Sequence, residues 1–516
     1  MSEKNFYITS PIYYVNDVPH IGHAYTSIAC DVKARFKRLE GFDVYFLTGT
    51  DEHGQKVEKS AINKGKSPQE FCDEVSQKFR ELAQILQLSN DDFIRTTENR
   101  HKKCAQNFWQ ILEKNGYIYK DVYEGWYALR DEAFYNEDEI IDGRAPTGAE
   151  VTWHKEESYF FKLSAFQEKL LTLYEAAPDF IRPQSRYNEV VNFVKSGLKD
   201  LSVSRTSFSW GVKVPNDEKH VMYVWLDALT NYLSALGFPD KNSNLYQKFW
   251  VNAEKSPIHM VGKDIVRFHA IYWPAFLMAA NLNIPYQVFA HGWWTNEGQK
   301  ISKSLGNVID PLQELEWLKS FSLDENAAND YFRYFLLREV HFGSDGDYSR
   351  QNFILRVNAE LANNIGNLAQ RSLSMIFKNC ESKIPSSNQN AKTLIEPFAE
   401  KYFTAMENFA YSDALGAIID YAGLINKRFN DAAPWNLKKL DKIEEMSLSL
   451  SEAAQGVYLI AILLLPFTPN LANKLLDILN VDAASRNFGG LNLELKAGVK
   501  INEPKGVFPR LEEKIN

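Results

Sequence analysis

"NFYITSPIYYVNDVPHIGHAYTSIACD", residues 5–31, is the stretch from which the fold can be read. Residues 5 to 9 are mostly apolar and β-prone, which predicts a strand. A loop bracketed by Pro11 and Pro19 follows, and a helix opens on His20-Ile21-Gly22-His23. His and Gly are modest helix formers, so a plain structural helix gives no reason for them there. In a first turn the two imidazoles lie on neighbouring positions of one helix face. They sit beside unpaired backbone N–H groups and the positive end of the dipole. That setting suits a polyphosphate, and Gly22 leaves room for a flat ligand such as a purine. On position alone, two histidines that merely cap a helix fit equally well.

Working outward, Ile21, Tyr25, Ile28, Val32, Phe36 and Leu39 give this helix an apolar face, ended by Gly41. Phe42 to Leu47 reads as a second strand. Ser67-Pro68-Gln69-Glu70 starts another helix with a capping box, and Phe71, Val75, Phe79, Leu82 and Leu86 form its buried face. Strand, helix, strand, helix predicts an α/β, Rossmann-like parallel sheet. Its ligands would sit at the carboxyl ends of the strands. Between 116 and 219 the rhythm gives way to Tyr-, Glu- and Asp-rich strands and loops. It returns in "VMYVWLDALTNYL", "IHMVGKDIVRFHAIYWPAFL" and "YQVFAHGWW". The expected organisation is a first catalytic half at 1–115, an inserted domain at 116–219 and a second half at 220–293. A connecting segment at 294–358 and a C-terminal α-helical bundle at 359–516 follow.

The chain of 516 residues is 45% hydrophobic and 13% aromatic, enough for several packed cores. A net charge of -8 gives no bulk signal for a polyanion partner, although a local basic face can hide in an acidic total. Cys30, Cys72, Cys104 and Cys380 stand apart with no CxxC, which argues against a disulfide framework and for a reducing compartment. MSEKNFYITS has no secretory core. Val457–Leu465 is broken by Pro466 and too short to span about 30 Å of hydrocarbon. A cytoplasmic protein with no membrane partner is expected.

"GQKISKSLGN", residues 298–307, is the second constellation. Lys300 and Lys303 are compact ammonium donors, Ser302 adds a hydroxyl, and Gly298 and Gly306 permit hinging. Such a loop could close over the charge that grows as pyrophosphate leaves, or could be a solvated turn.

Taken together, His20-Ile21-Gly22-His23 and Lys300-Ile301-Ser302-Lys303-Ser304 resemble the paired signatures of the class I aminoacyl-tRNA synthetases. "ITSPIYYVNDVPHIGHAY", "FLTGTDEHGQKV", "YVWLDALTNYL" and "GKDIVRFHAIYWPAFL" are similar to the methionine-specific branch of that family, and the resemblance covers essentially the whole chain. It implies an ATP-dependent ligase with L-methionine, ATP and tRNA(Met) as partners. The methionine carboxylate would attack the α-phosphorus, and the aminoacyl group would then pass to the tRNA 3′ end. His20, Gly22 and His23 would hold ATP, with Lys300, Ser302 and Lys303 on the leaving pyrophosphate and Mg²⁺ on the phosphate oxygens. Positioning and charge stabilisation, rather than a protein nucleophile, would carry such chemistry. The family's central Met is here Ile301, which keeps an apolar anchor.

The resemblance further implies that Asp51 binds the α-ammonium. Ile12, Tyr14, Trp225, Ala228, Leu229, Tyr232, Ile265, His269 and Trp273 would surround the side chain. Thioether sulfur gains about 0.3–1.5 kcal/mol against an aromatic ring, which favours methionine, yet composition alone would read these residues as core. Zinc-bearing members carry two cysteine pairs in the insertion. Here Ala128, Asp131, Ala145 and Gly148 fall at those positions, so no structural zinc is expected and no protein metal site is predicted. The insertion should rest on Trp126, Tyr127, Tyr135 and Phe160. In "NNIGNLAQR" and "DAAPWNLKK", Asn367, Arg371 and Trp435 match anticodon-reading positions; an amide, a guanidinium and an indole can bond and stack unpaired bases. A salt bridge at Arg371 and a core cap at Trp435 are the structural alternatives. A monomer is expected, because the family's dimerising extension is not present.

Rival readings are weaker. "NKGKSP" lacks the P-loop's first glycine, since that position is Ser60. The valine, leucine and isoleucine enzymes of class I carry a far larger editing insertion than the ~100 residues here, and a small HxGH nucleotidyltransferase needs no helical domain. A non-enzymatic tRNA-binding descendant would not need both signatures.

Overall fold

The computed structural model describes residues 4–15, 18–128, 133–135, 137–253, 255–300, 307–386 and 390–512. Strand β1 (Asn5–Tyr14) runs five residues beyond the predicted end. Helix α1 (Ile21–Leu39) follows, then β2 (Asp43–Asp51), α2 (Gln55–Asn63), α3 (Pro68–Ile85), β3 (Asp92–Arg95) and α4 (Asn99–Lys114). The α3 capping box forms as expected: Ser67 N–H donates to Glu70 Oε2 at 2.9 Å and Glu70 N–H to Ser67 Oγ at 3.3 Å.

Beyond α4 lie β4 (Ile118–Ala128), β5 (Ala133–Tyr135), β6 (Thr152–Phe161), α5 (Gln167–Ala176), β7 (Ile181–Arg182), α6 (Gln184–Lys195), β8 (Leu201–Ser202), β9 (Ser204–Arg205), β10 (Lys213–Val214) and β11 (Asp217–Met222). β5-β4-β6-β8 and β10-β11-β9 make two small antiparallel sheets. The βα rhythm resumes with α7 (Val224–Leu229), α8 (Asn231–Ser234), α9 (Asn244–Tyr246), β12 (Ile258–Gly262), α10 (Trp273–Ala279) and β13 (Gln287–His291). The main sheet is parallel throughout, in the order β3-β2-β1-β12-β13-β7. β7 lies inside the stretch 116–219, yet its Ile181 and Arg182 pair with Val288 and Phe289. That part of the expected insertion therefore returns to complete the sheet's edge, because Ile181 and Phe180 are buried under α5 and α6 in the same core as α10.

Side chains alternate across the pleat. Phe6, Ile8, Val44, Phe46, Met260 and Phe289 face α1, while Tyr7, Leu47, Val261 and Val288 face α4 and α10. β1 is covered on both faces, as its apolar run requires. Its register shifts between Thr9 and Ile12, at Pro11, which has no N–H for the ladder. Gly49 lets β2 and β3 approach: a Cβ there would meet the Ile94 carbonyl oxygen at 2.0 Å.

After β13 come β14 (Trp294–Asn296), β15 (Gln299–Lys300), α11 (Pro311–Lys319), α12 (Glu325–Arg338), β16 (Gly346–Tyr348) and α13 (Arg350–Val357). A π-helical stretch, Asn358–Gly366, leads into the bundle of α14 (Asn367–Asn379), α15 (Asn390–Glu407), α16 (Tyr411–Ala432), α17 (Pro434–Lys439), α18 (Ile443–Leu464) and α19 (Pro469–Ile478). α18 is longer than the apolar run Val457–Leu465 suggested. It is long and apolar enough to cross a membrane, but 78% of its most apolar window is buried inside the fold.

The bundle shares one hydrophobic core with the α1 face of the sheet. Polar contacts reinforce that join. Arg333 on α12 and Asp31 on α1 form a fully buried pair at 2.6 Å, and Arg333 Nε also donates to the Phe467 carbonyl at 2.9 Å. Burial would raise the Asp31 carboxyl, but Arg35 and Arg333 outweigh it and hold it well below the usual range. Lys33 donates to the Met406 carbonyl at 2.9 Å, Tyr411 to the Ala29 carbonyl at 2.8 Å. Helix α1, which starts on the histidines, is thus welded to the bundle through its second half.

Candidate active site

A cavity of about 660 Å³ opens at the carboxyl ends of β1, β2, β12 and β13, where a parallel sheet holds its ligands. Ile12, Tyr14, His20, Gly22, His23, Asp51, Trp225, Ala228, Leu229, Tyr232, Ile265 and His269 all line it. Trp273 does not. It is fully buried one layer back, its ring centroid 6.1 Å from that of Tyr232 and its Nε1–H donating to His259 Nε2 at 3.2 Å. The resemblance implied Trp273 as part of the wall, and a match along the chain does not distinguish a wall from its backing. Lys300 contributes backbone to β15; Ser302 and Lys303 lie outside the described residues.

His20 is the N-cap of α1. Its Nδ1 accepts the Gly22 N–H at 3.1 Å, and His23 Nδ1 accepts the His20 N–H at 3.1 Å. The rings stack with centroids 3.8 Å apart, and His23 is wedged edge-on against Tyr13 and Phe79. Burial lowers the pKa of His20, and burial plus the neighbouring His20 lowers that of His23 well below the ordinary value. Both rings are therefore neutral at pH 7. A nitrogen that accepts an N–H carries no proton, so each ring bears its proton on Nε2. Gly22 has a nearer reason than ligand access: a Cβ would stand 2.9 Å from His20 Cε1.

The residues around Asp51 are locked. Glu52 receives Arg95 Nε at 2.7 Å and Nη2 at 2.9 Å, and its carbonyl takes Trp210 Nε1–H at 2.6 Å. His53 Nδ1 meets Asp227 Oδ2 at 2.7 Å. On the opposite wall His269 Nδ1–H donates to the Ile265 carbonyl at 3.0 Å, so Nε2 accepts the Tyr232 hydroxyl at 2.7 Å. Burial pushes the pKa of His269 down to about 4. Tyr232 stacks on His259 at 4.0 Å, and Trp225 on Phe268 at 3.5 Å.

Sequence reasoning missed Asp264, His291 and Trp293, which also line the cavity. Trp293 Nε1–H donates to Asp264 Oδ1 at 3.2 Å, while Lys263 contacts both Asp345 oxygens at 2.7 Å. Asp264 and Trp293 follow β12 and β13 and His291 ends β13, so the strand-end rule could have found them. Among the described residues no group of three or more His, Cys, Asp or Glu could hold a metal ion. In the insertion, Ala128 and Ala145 are buried with Ala149 and Val151 in a small apolar cluster, against which Trp126 and Tyr135 pack. Phe160 stacks instead on Tyr119 at 5.7 Å, and Asp131 lies outside the described residues. At the start of α14 Asn367 is exposed one turn before Arg371. The Arg371 guanidinium lies 5.0 Å from the Trp435 ring and 5.3 Å from Phe429, and Nη1 donates to Asn430 Oδ1 at 2.9 Å.

The family model for class I tRNA synthetases (M) matches residues 6–150 and 145–373, which gives this parallel sheet and its strand-end cavity their class. The methionine--tRNA ligase of Rickettsia felis is 56% identical over 522 residues, 99% of this chain and 99% of the relative. That of Brucella suis is 51% identical over 525 residues, again 99% of each. The Mycobacterium tuberculosis methionyl-tRNA synthetase solved in complex with methionyl-adenylate superposes with a TM-score of 0.93 at 44% identity, covering 98% of this chain and 100% of that one. Its apo form gives 0.87 at 42% identity. The chain belongs to the methionine-specific class I tRNA synthetase family.

Proposed function

We propose that this chain activates L-methionine with ATP, releasing pyrophosphate, and transfers the methionyl group from the adenylate to the 3′ end of tRNA(Met). One observation carries the site assignment: a single cavity joins a strand-end carboxylate, a pair of imidazole N–H donors and an apolar, largely aromatic wall. Asp51 receives the α-ammonium by a charge-assisted bond. Trp225, Ala228, Leu229, Tyr232, Ile265 and His269, with Ile12 and Tyr14, enclose the thioether. The Nε2–H groups of His20 and His23 donate to phosphate oxygens as charge develops at the α-phosphorus.

Lys300, Ser302 and Lys303 would neutralise the departing pyrophosphate. The cavity offers Asp51 and Asp264 but no cage of carboxylates, which fits Mg²⁺ entering on the phosphate oxygens of ATP. Asn367, Arg371 and Trp435 read anticodon bases. The chain acts as a monomer, in the cytoplasm where charged tRNA is consumed. Methionine-dependent exchange of pyrophosphate into ATP tests the reading. Exchange with another amino acid and none with methionine would overturn it.

A further inference from the structure

Asp227 is wholly buried on α7 and is absent from the cavity lining, yet both its oxygens are engaged. Oδ2 meets His53 Nδ1 at 2.7 Å and Oδ1 meets His101 Nε2 at 2.7 Å. His101, on α4, also bonds Ser234 of α8 at 3.1 Å through Nδ1. The bridge therefore ties together three segments: the loop after β2, the helix α4, and the α7–α8 pair. His53 stands two residues from Asp51, and α7 carries Trp225, Ala228 and Leu229. A well-packed apolar residue at 227 would avoid the desolvation cost of a buried carboxylate. What apolar packing does not supply is direction and fixed length.

We propose that the His53–Asp227–His101 bridge is a positioning device that fixes the separation between the Asp51 carboxylate and the apolar wall on α7. Methionine is then held by its ammonium and its thioether end at once. The proposal rests on the reading of Asp51 as the ammonium's partner. The three bridging residues touch no substrate; they act through Asp51 and α7. Pre-set spacing matters because a ligand gains from two anchors only if both can be engaged without distortion.

The test uses the full chain and two probes, L-methioninol and its deamino analogue 4-(methylsulfanyl)butan-1-ol, titrated calorimetrically. In the wild type the amine should tighten binding by about 10- to 100-fold. His53→Leu should cut that advantage to about threefold or less, while the analogue's own affinity stays within about threefold of wild type. His53→Asn, whose side-chain amide can donate from near the Nδ1 position, should restore most of it. Asp227→Asn conserves volume, turns one acceptor into a donor, and should behave like His53→Leu, so the test survives if either variant fails to fold. Equal weakening of both probes would overturn the proposal, because the bridge would then only hold up the wall. Unchanged binding of both would also overturn it. A wild type with no amine advantage would instead refute the Asp51 reading.

Discussion

His23 accepts the backbone N–H of His20 through Nδ1 at 3.1 Å, and the two imidazoles stack with centroids 3.8 Å apart. The pair caps the helix with one nitrogen of each ring. Under the proposed function the other nitrogen of each ring donates to ATP, and capping and catalysis, which compete as explanations of these residues in the sequence, would be one arrangement. His20→Asn separates the two roles, since Asn is an equal or better N-cap but has no group where Nε2–H stood. The melting temperature should move by no more than about 2 °C. The rate of pyrophosphate exchange should fall by about 100- to 1000-fold, with methionine affinity unchanged by calorimetry.

Gly22→Ala places a methyl group 2.9 Å from His20 Cε1. Alanine favours the helix by up to about 1 kcal/mol, so the variant should fold at least nearly as well as wild type. The His20 ring must nevertheless shift. Exchange should slow by at least about tenfold while methionine binding holds. A wild-type rate would show that the ring's present position is not needed.

Asp330 is buried under α19, where it accepts the Leu471 N–H at 2.7 Å and Asn470 Nδ2 at 3.0 Å. Burial raises its pKa to about 6 despite those bonds. Its folded value lies above the unfolded one near 4, so between these values the native state binds more protons and stability falls as pH rises. Relative to Asp330→Asn, the wild type should lose about 2 kcal/mol between pH 4 and pH 6 and stay level above that. Urea denaturation of both proteins across this range checks the sign; a wild type that gains on Asp330→Asn with rising pH would contradict it.

Trp435→Ala removes the ring over which Arg371 lies, at a residue that does not line the cavity. Exchange without tRNA should stay within about twofold of wild type, and aminoacylation should weaken by about 10-fold or more, as loss of one stacked base does. Parallel assays decide the matter: equal loss in both would make Trp435 structural.

Much of this molecule could be read locally. The His20–His23 turn, the Ser67–Glu70 capping box and the apolar stripe of α1 depend on neighbours within a few residues, so spacing alone conveys them. The family resemblance supplied the pocket as a set of side chains, and the cavity brings all but Trp273 of that set together. His53 with Asp227, Arg333 with Asp31, and β7 with β13 were not legible, because each joins segments whose distance along the chain says nothing about their meeting in space.

By itself, the sequence determined which residues could carry the chemistry and on which helix turns and strand ends they would stand. Periodicity, caps and turn residues act through backbone geometry over a few residues. Only the tertiary structure decided which nitrogen of His20, His23 and His269 holds its proton, that Trp273 backs the wall rather than forming it, and that the helix carrying the histidines is welded to the bundle. Those outcomes depend on which hydrogen-bond partners and apolar faces the packed sheet brings within reach.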